Sequence, residues 1–133
     1  MRPGWDEYFL GIADAVAARS DCDRRKVGAV IVAPDRRIVG TGYNGAPAGQ
    51  PGCEFCPRRT SGVPPGGENY ETGLYACVAL HAEANALLYT DRHDLNGASI
   101  YITCPPCLQC QKLIRGAGIV DLHYREMSWR SAS

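Results

Sequence analysis

The chain has 133 residues and a mass of 14.4 kDa, which predicts one domain spanning residues 1–133. Lysine plus arginine equals aspartate plus glutamate at 14 each, so the formal net charge is zero. With 45% hydrophobic and 21% charged residues, the composition excludes a disordered chain. It also disfavours nucleic acid or an anionic membrane as partner, because no net positive charge attracts either.

The seven cysteines are the most informative part of the composition. No apolar run approaches the ~20 residues of a membrane span, and acidic residues interrupt the N-terminal segment, so we expect a cytoplasmic protein without a signal peptide. Thiols in such a protein stay reduced. Clustered cysteines then favour metal binding over disulfides.

The first elements in chain order are a helix and a hairpin. Apolar residues at helical spacing predict a helix within residues 3–20. Apolar runs at 27–33 and 38–43, joined through Pro34 and Asp35, predict a hairpin of two buried strands.

A long segment rich in glycine and proline follows at residues 44–73. It predicts a surface loop, and loops of that length are functional or are held by something other than a core. The remaining predicted elements are a helix over 81–90, a strand over 99–103, a helix over 107–115 and a strand over 119–124. This alternation predicts an α/β sheet layered with helices.

Two short motifs carry the chemistry: His81-x-Glu83, and Pro106 followed by Cys107-x-x-Cys110. Cys107 and Cys110 lie one helical turn apart, so both sulfurs can reach one ion, and a helix N-terminus favours their thiolate forms. His81 would complete three protein ligands. Three ligands leave the fourth tetrahedral position open for water, as in catalytic zinc sites.

Glu83 is predicted to be the general acid/base of this site and not a zinc ligand. Zinc lowers the pKa of bound water toward ~7, and a neighbouring carboxylate can shuttle protons between that water and a ring nitrogen. Cys104 is expected to be a small buried residue outside the ligand set. By itself, a C-x-x-C pair is often a redox pair or a structural zinc half-site.

In this order the two motifs match the signature of zinc-dependent nucleobase deaminases, and the chain resembles the deoxycytidylate (dCMP) deaminase family of the cytidine deaminase-like superfamily. The resembling segments are Arg19-Ser20, 27–32, 41–45, 81–86 and 106–110. The resemblance implies a three-layer αβα fold with a central mixed sheet of four to five strands. It also implies zinc-dependent hydrolysis of dCMP to dUMP and ammonia, which supplies dUMP for thymidylate synthesis.

The resemblance also implies substrate contacts. Asn44 is expected to contact the deoxyribose 3′-hydroxyl and the Ala82 backbone N–H the pyrimidine O2, with a turn residue as the alternative for Asn44. Candidates for the 5′-phosphate are Arg24, Tyr124 and Arg125. Their alternative is that they are simply solvated.

Four further cysteines lie where some family members bind a second, structural zinc: Cys22, Cys53, Cys56 and Cys77. A closed site of four cysteines would hold the long loop and contribute to folding. The alternative is a set of unpaired thiols. His93 and His123 are expected to be ordinary surface or core residues.

Regulation and assembly are expected only from the resemblance. Family members bind Mg²⁺ with dCTP or dTTP near the segment that corresponds to 43–49, and they form homo-oligomers, usually hexamers. The short stretch after the last predicted strand leaves a fifth strand open. The alternative functions are deamination of a related cytosine substrate (a 5-substituted dCMP, deoxycytidine or a nucleic-acid base) and a catalytically silent zinc-stapled nucleotide-binding module, which would not need Glu83.

Overall fold

The computed structural model of the chain describes residues 2–22, 25–45 and 81–125. The elements in chain order are α1 (Trp5–Ala17), β1 (Gly28–Val32), β2 (Ile38–Tyr43), α2 (Ala82–Leu88), α3 (Arg92–Leu95), β3 (Ser99–Ile102), α4 (Leu108–Gly116) and β4 (Asp121–Tyr124). Within these ranges, no helix has the length and apolar character needed to cross a membrane.

The described strands form one mixed sheet in the order β2-β1-β3-β4. β1 runs antiparallel to both β2 and β3, whereas β3 and β4 are parallel. All five residues of β1 are buried, as its unbroken apolar run predicted. The mixed sheet predicted from the sequence is therefore confirmed, with four strands in the described part of the chain.

Helices cover both faces of this sheet, which confirms the three-layer αβα arrangement. Successive strand residues point to opposite faces, so β1 sends Ala29 and Ile31 to one face and Val30 and Val32 to the other. The first face packs against α2 and α4 through Ala82, Ala86 and Ile114. The second face packs against α1 through Phe9 and Ala13.

α1 begins after Pro3 and Gly4 and carries Asp6 and Glu7 in its first turn, where negative charge favours a helix. It buries Phe9, Ala13 and Ala17, one residue per helical turn. The helix ends at Ala17, short of the predicted boundary at 20. The chain continues in tighter turns, in which the backbone N–H groups of Arg19 and Ser20 donate to carbonyls three residues earlier.

β2 corrects one prediction. It was expected to be a buried strand, but it forms an edge of the described sheet and its first residue, Ile38, is 41% exposed. An apolar run has the same pattern at the edge and in the centre of a sheet, so periodicity could not separate the two. The connection from β1 turns through Arg36, whose φ of 73° lies in the left-handed region.

The helix predicted over 81–90 is shorter and is followed by a helix that was not predicted. α2 ends at Leu88, and the Thr90 hydroxyl donates to the Ala86 carbonyl at 2.6 Å. Asp91 then caps α3 by accepting from the backbone N–H of His93 at 3.0 Å. This cap starts a new helical turn in a new direction.

Candidate metal and nucleotide site

The chain segments that carry the predicted chemistry meet at one end of the strands. β3 ends there, and the antiparallel pairing brings the start of β1 and the end of β2 to the same end of the sheet, with Gly28 opposite Tyr43. The backbone N–H of Thr103, just after β3, donates to the Gly28 carbonyl at 3.0 Å. Helices α2 and α4 both begin close to this end of the strands.

Both helices place predicted metal ligands at their caps. His81 is the N-cap of α2 and Cys107 the N-cap of α4, each with extended backbone angles. The Cys107 sulfur accepts from the backbone N–H of Cys110 at 3.4 Å, so the cap also sets the spacing of the two cysteines. Unpaired N–H groups and the helix dipole favour thiolates at this position.

The three predicted ligand atoms converge. The Nδ1 atom of His81 lies 3.3 Å from the Cys110 sulfur and 3.6 Å from the Cys107 sulfur, and all three atoms lie within 4.8 Å of one another. Tetrahedral zinc with Zn–N near 2.0–2.1 Å and Zn–S near 2.3 Å requires N···S separations of about 3.5 Å. The donor set and its spacing therefore fit a zinc ion with one position left open.

Glu83 lies in the first turn of α2 and is 4% exposed. In the described part of the chain, its carboxylate has no ion-pair or hydrogen-bond partner. Burial of an uncompensated carboxylate is costly, and such groups are rare outside functional sites. The position beside a cation site supplies the physical reason for this one.

Cys104 lies at the rim of the same site but outside the group of three ligand atoms. It is partly buried, and the Arg25 guanidinium donates to its sulfur at 2.9 Å. Burial raises the pKa of the Cys104 thiol, the charge of Arg25 opposes that rise, and the negative charge of Glu83 adds to it. Arg25 was not singled out from the sequence, where the resemblance pointed to its neighbour Arg24.

Asn44 directly follows β2 and is 9% exposed. Its Oδ1 atom accepts from the Val27 backbone N–H at 2.8 Å, and its Nδ2 atom donates to the Arg25 carbonyl at 2.6 Å. The Asn44 carbonyl accepts from the Ser20 hydroxyl at 2.6 Å. Backbone groups thus hold both the oxygen and the nitrogen of the side-chain amide, which fixes its orientation at the end of β2.

Ala82 is fully buried as the first residue of α2, where a backbone N–H has no partner within the helix. Tyr124 ends β4 and is 38% exposed. The Arg125 guanidinium contacts both carboxylate oxygens of Asp14 on α1, at 2.7 Å and 3.2 Å.

Several predicted residues lie outside the described ranges: Arg24, Cys53, Cys56 and Cys77. Cys22 is described and is partly buried. Its backbone N–H donates to the Ser20 hydroxyl at 3.2 Å, so it lies next to the residue that holds the Asn44 carbonyl.

Asn85 makes a hydrogen bond that the sequence did not predict. Its Nδ2 atom donates to the Tyr43 carbonyl at 2.8 Å and thereby links α2 to the end of β2. The available signal was its position two residues after Glu83, but the partner lies 42 residues earlier in the chain. Local spacing could not identify that partner.

A mixed sheet between helices, with one histidine and two cysteines at two converging helix N-termini and a buried glutamate beside them, defines a zinc-binding deaminase. A family model described as "Cytidine and deoxycytidylate deaminase zinc-binding region" matches residues 3–126. The chain belongs to this cytidine and deoxycytidylate deaminase family.

Similar proteins agree with that assignment. A deoxycytidylate deaminase of Mycobacterium phage D29 is 61% identical over 127 residues, which are 96% of this chain and 98% of the relative. The human deoxycytidylate deaminase is 40% identical over 118 residues, which are 89% of this chain and 62% of the human protein. The chain therefore spans nearly all of the phage relative and less than two thirds of the human one.

Solved structures support the same fold. The dCMP deaminase of cyanophage S-TIM5, in complex with dCMP and dUMP, has a TM-score of 0.68 and 28% identity, covering 94% of this chain and 83% of the cyanophage chain. A cytidine deaminase of Mycobacterium tuberculosis has a TM-score of 0.53 at 18% identity, covering 94% of this chain and 86% of that one. At that identity the second match shows the fold only.

Proposed function

We propose that this chain is a deoxycytidylate deaminase that hydrolyses dCMP to dUMP and ammonia and so supplies dUMP for thymidylate synthesis. The observation that carries the proposal is the buried carboxylate of Glu83 beside three ligand atoms spaced for zinc. The names of the phage and human relatives support the choice of substrate, as does the cyanophage structure with dCMP and dUMP.

His81, Cys107 and Cys110 would hold the catalytic zinc. Zinc bound there would lower the pKa of a water in the open position toward ~7 and so make it nucleophilic at neutral pH. The cap hydrogen bond from the Cys110 N–H keeps the Cys107 sulfur turned toward the site. The shared contact of His81 with both sulfurs supports these three residues as one ligand set.

Glu83 would carry the protons of the reaction. Its carboxylate takes a proton from the water that attacks C4 of the cytosine ring and delivers it to N3. It then moves the remaining proton of that water to the departing amino group, so that ammonia leaves and a C4 carbonyl remains. Burial suits this role, because a desolvated carboxylate stays close to the ring and exchanges protons directly with it.

Asn44 would bind the 3′-hydroxyl of the deoxyribose, and the Ala82 N–H would bind O2 of the base. An amide offers two N–H donors and two acceptor lone pairs. The backbone contacts of Asn44 use one of each, so a donor and an acceptor remain for a hydroxyl. These two contacts would fix the sugar and base of one substrate.

Arg24, Tyr124 and Arg125 remain our candidates for the 5′-phosphate. For Arg125 the contact with Asp14 is informative, because the guanidinium already binds two oxygens in the bidentate geometry that suits a phosphate. A phosphate there would replace Asp14 as its partner.

We also propose a second zinc held by Cys22, Cys53, Cys56 and Cys77, which would hold the long loop. Metal analysis of the purified protein should then find about two zinc ions per chain. A Cys53→Ser variant that keeps both ions would overturn this set of ligands. In that case the four cysteines would be unpaired thiols.

The remaining proposals rest on the family. The chain forms one domain over residues 1–133, assembles as a homo-oligomer, with a hexamer as the expected state, and works in the cytoplasm. Mg²⁺ with dCTP or dTTP would regulate it near residues 43–49. Sedimentation of the purified protein with and without dCTP and Mg²⁺ tests the assembly and its response to effector.

The test of the activity is the loss of ultraviolet absorbance on dCMP, CMP, deoxycytidine, 5-methyl-dCMP and a short single-stranded oligonucleotide. We expect fast turnover of dCMP and little of deoxycytidine, because the phosphate contact would be missing. Turnover of another substrate but not of dCMP would keep the zinc chemistry and overturn the substrate. A zinc-bound protein that deaminates none of them would be a nucleotide-binding module.

A further inference from the structure

The site contains a side-chain link between α2 and the end of β2 that the proposed reaction does not use. Asn85 lies in α2, two residues after Glu83, and is partly buried. Its side-chain amide donates to the carbonyl of Tyr43, the last residue of β2, at 2.8 Å. Asn44 is the next residue. This hydrogen bond joins the helix that carries Glu83 to the strand end that precedes Asn44.

Packing also sets the distance between α2 and the end of β2. Gly42 lies directly on the backbone of α2. A Cβ atom at Gly42 would lie 2.6 Å from the Ala82 carbonyl oxygen and would also meet the Ala86 nitrogen. This contact limits how near β2 and α2 can come, whereas the Asn85 bond prevents the Tyr43 carbonyl from moving away.

Asn44 has little freedom once Tyr43 is held. Its backbone N–H donates to the Val27 carbonyl at 3.2 Å, and its own carbonyl accepts from Ser20. Its side-chain amide is held by Val27 and Arg25. Asn85 supplies the bond from α2, the element that would bind the base.

We propose that Asn85 is a positioning residue that fixes the distance between Asn44 and the start of α2, and that this distance makes the enzyme selective for nucleotides with a 3′-hydroxyl. The inference rests on the proposed function, in which Asn44 contacts that hydroxyl and Ala82 the base. A nucleoside makes both contacts at once, and the covalent bond between its base and its sugar fixes the distance between them. A shift of one contact relative to the other by about 1 Å would lose the hydrogen bond to the sugar while the base stays bound.

The experiment compares kcat/KM for dCMP with kcat/KM for 2′,3′-dideoxy-CMP, which lacks only the 3′-hydroxyl. In Asn85→Ala we expect this ratio to fall about tenfold, the loss of roughly one hydrogen bond, with zinc content unchanged. Asn85→Asp is a second test with nearly the same shape, because a carboxylate oxygen cannot donate to the Tyr43 carbonyl. It should lower the ratio in the same way.

Two further variants separate the explanations. Asn44→Ala should lower the ratio as far as the Asn85 variants do, or further. Thr90→Val is the matched control, because it removes a buried side-chain hydrogen bond at the other end of α2. It should cost stability without changing the ratio.

The outcomes are distinguishable. If Asn44→Ala loses selectivity while both Asn85 variants keep it, or lose activity equally on both substrates, Asn85 has no positioning role and the proposed function stands. An equal fall of the ratio in Thr90→Val would also overturn the inference, because general loosening of α2 would explain it. Full selectivity in Asn44→Ala would overturn the sugar contact and the inference with it. Absence of dCMP turnover in the unmodified protein would overturn the proposed function itself.

Discussion

The two faces of the sheet are built from different side chains. On the α1 face part of the contact is aromatic: the rings of Phe9 and Tyr101 lie 5.2 Å apart, and His123 stacks on Tyr101 at 4.5 Å. On the other face α2 contributes small residues, with Ala82 and Ala86 fully buried, and the strands contribute isoleucines such as Ile31 and Ile100.

This difference separates two tasks. Large rings remove much apolar area from water and stabilise the fold. Further along α1, Ala13 and Ala17 let the helix backbone lie directly on Gly28 of β1. Small residues let the backbone of α2 approach β2, so the helix N-terminus and its side chains are placed by backbone contact. Both faces contribute apolar burial to stability. We therefore expect changes in the aromatic cluster of α1 to alter stability but not chemistry, and changes at the start of α2 to alter chemistry.

Glu83→Gln tests the chemical face most directly. Glutamine keeps the size of the side chain but cannot exchange protons, so we expect kcat to fall by at least ~10²-fold with zinc still bound. Steady-state assays and metal analysis of the same preparation measure both quantities.

The matched control is Glu7→Gln, which changes an exposed acidic residue in the first turn of α1. It should leave kcat unchanged. Near-normal turnover in Glu83→Gln would remove Glu83 from the mechanism and the chemical role from this part of the α2 face.

Phe9→Ala tests the other face. Phe9 is 1% exposed, and removal of a buried phenylalanine ring costs about 3–5 kcal/mol of unfolding free energy. Urea denaturation measures this loss. At temperatures where the variant stays folded, kcat should be unchanged.

Tyr8→Ala is the comparison variant, since Tyr8 is 46% exposed although its ring lies 5.0 Å from that of Phe9. Its cost should stay below about 1 kcal/mol, as for other surface substitutions. A folded Phe9→Ala protein with strongly reduced kcat would show that the two faces are not separable.

Tyr101→Phe should have a smaller effect on the same face. The Tyr101 hydroxyl donates to Oδ1 of Asp6 at 2.9 Å, and the loss of one such bond costs about 0.5–1.5 kcal/mol. Burial raises the pKa of Tyr101 to about 12, and the hydrogen bond to Asp6 and the charge of Asp6 act in the same direction.

The pH dependence follows from that shift. Because the folded pKa lies above the ordinary value of 10.0, the protonated phenol stabilises the fold fully below pH 10. This stabilisation is lost as the pH rises from 10 toward 12. The difference in unfolding free energy between the original protein and Tyr101→Phe should therefore shrink over that range. A difference that stays flat across this range would contradict the role of Tyr101.

Much of the site was predictable because its signals are local. Cys107 and Cys110 are separated by one helical turn, and His81 and Glu83 by two residues, so each pair is set by its own helix start. Asn44 was also named as a site residue, but its contacts with Val27, Arg25 and Ser20 were not.

The errors have a common origin. The exposure of β2 depends on which strands pair beside it, and the start of α3 depends on a cap at Asp91 inside a sequence that favours helix throughout. The link from Asn85 to Tyr43 joins residues 42 positions apart. The exposure of β2 and the link from Asn85 have no local period or motif. Asp91 is a local cap signal, but it stands in a sequence that favours helix on both sides.

Residue type and short-range spacing thus predicted the proposed ligand set and acid/base group, and they determined the family and the alternation of strands and helices. These depend on chemistry and on interactions within one or two helical turns. The tertiary structure decided three features. They are the convergence of two helix N-termini at one end of the strands, the position of β2 at the edge of the described sheet, and the hydrogen bonds that orient Asn44. They arise from packing between segments far apart in the chain, where small side chains such as Gly42 and Ala86 allow backbones to meet.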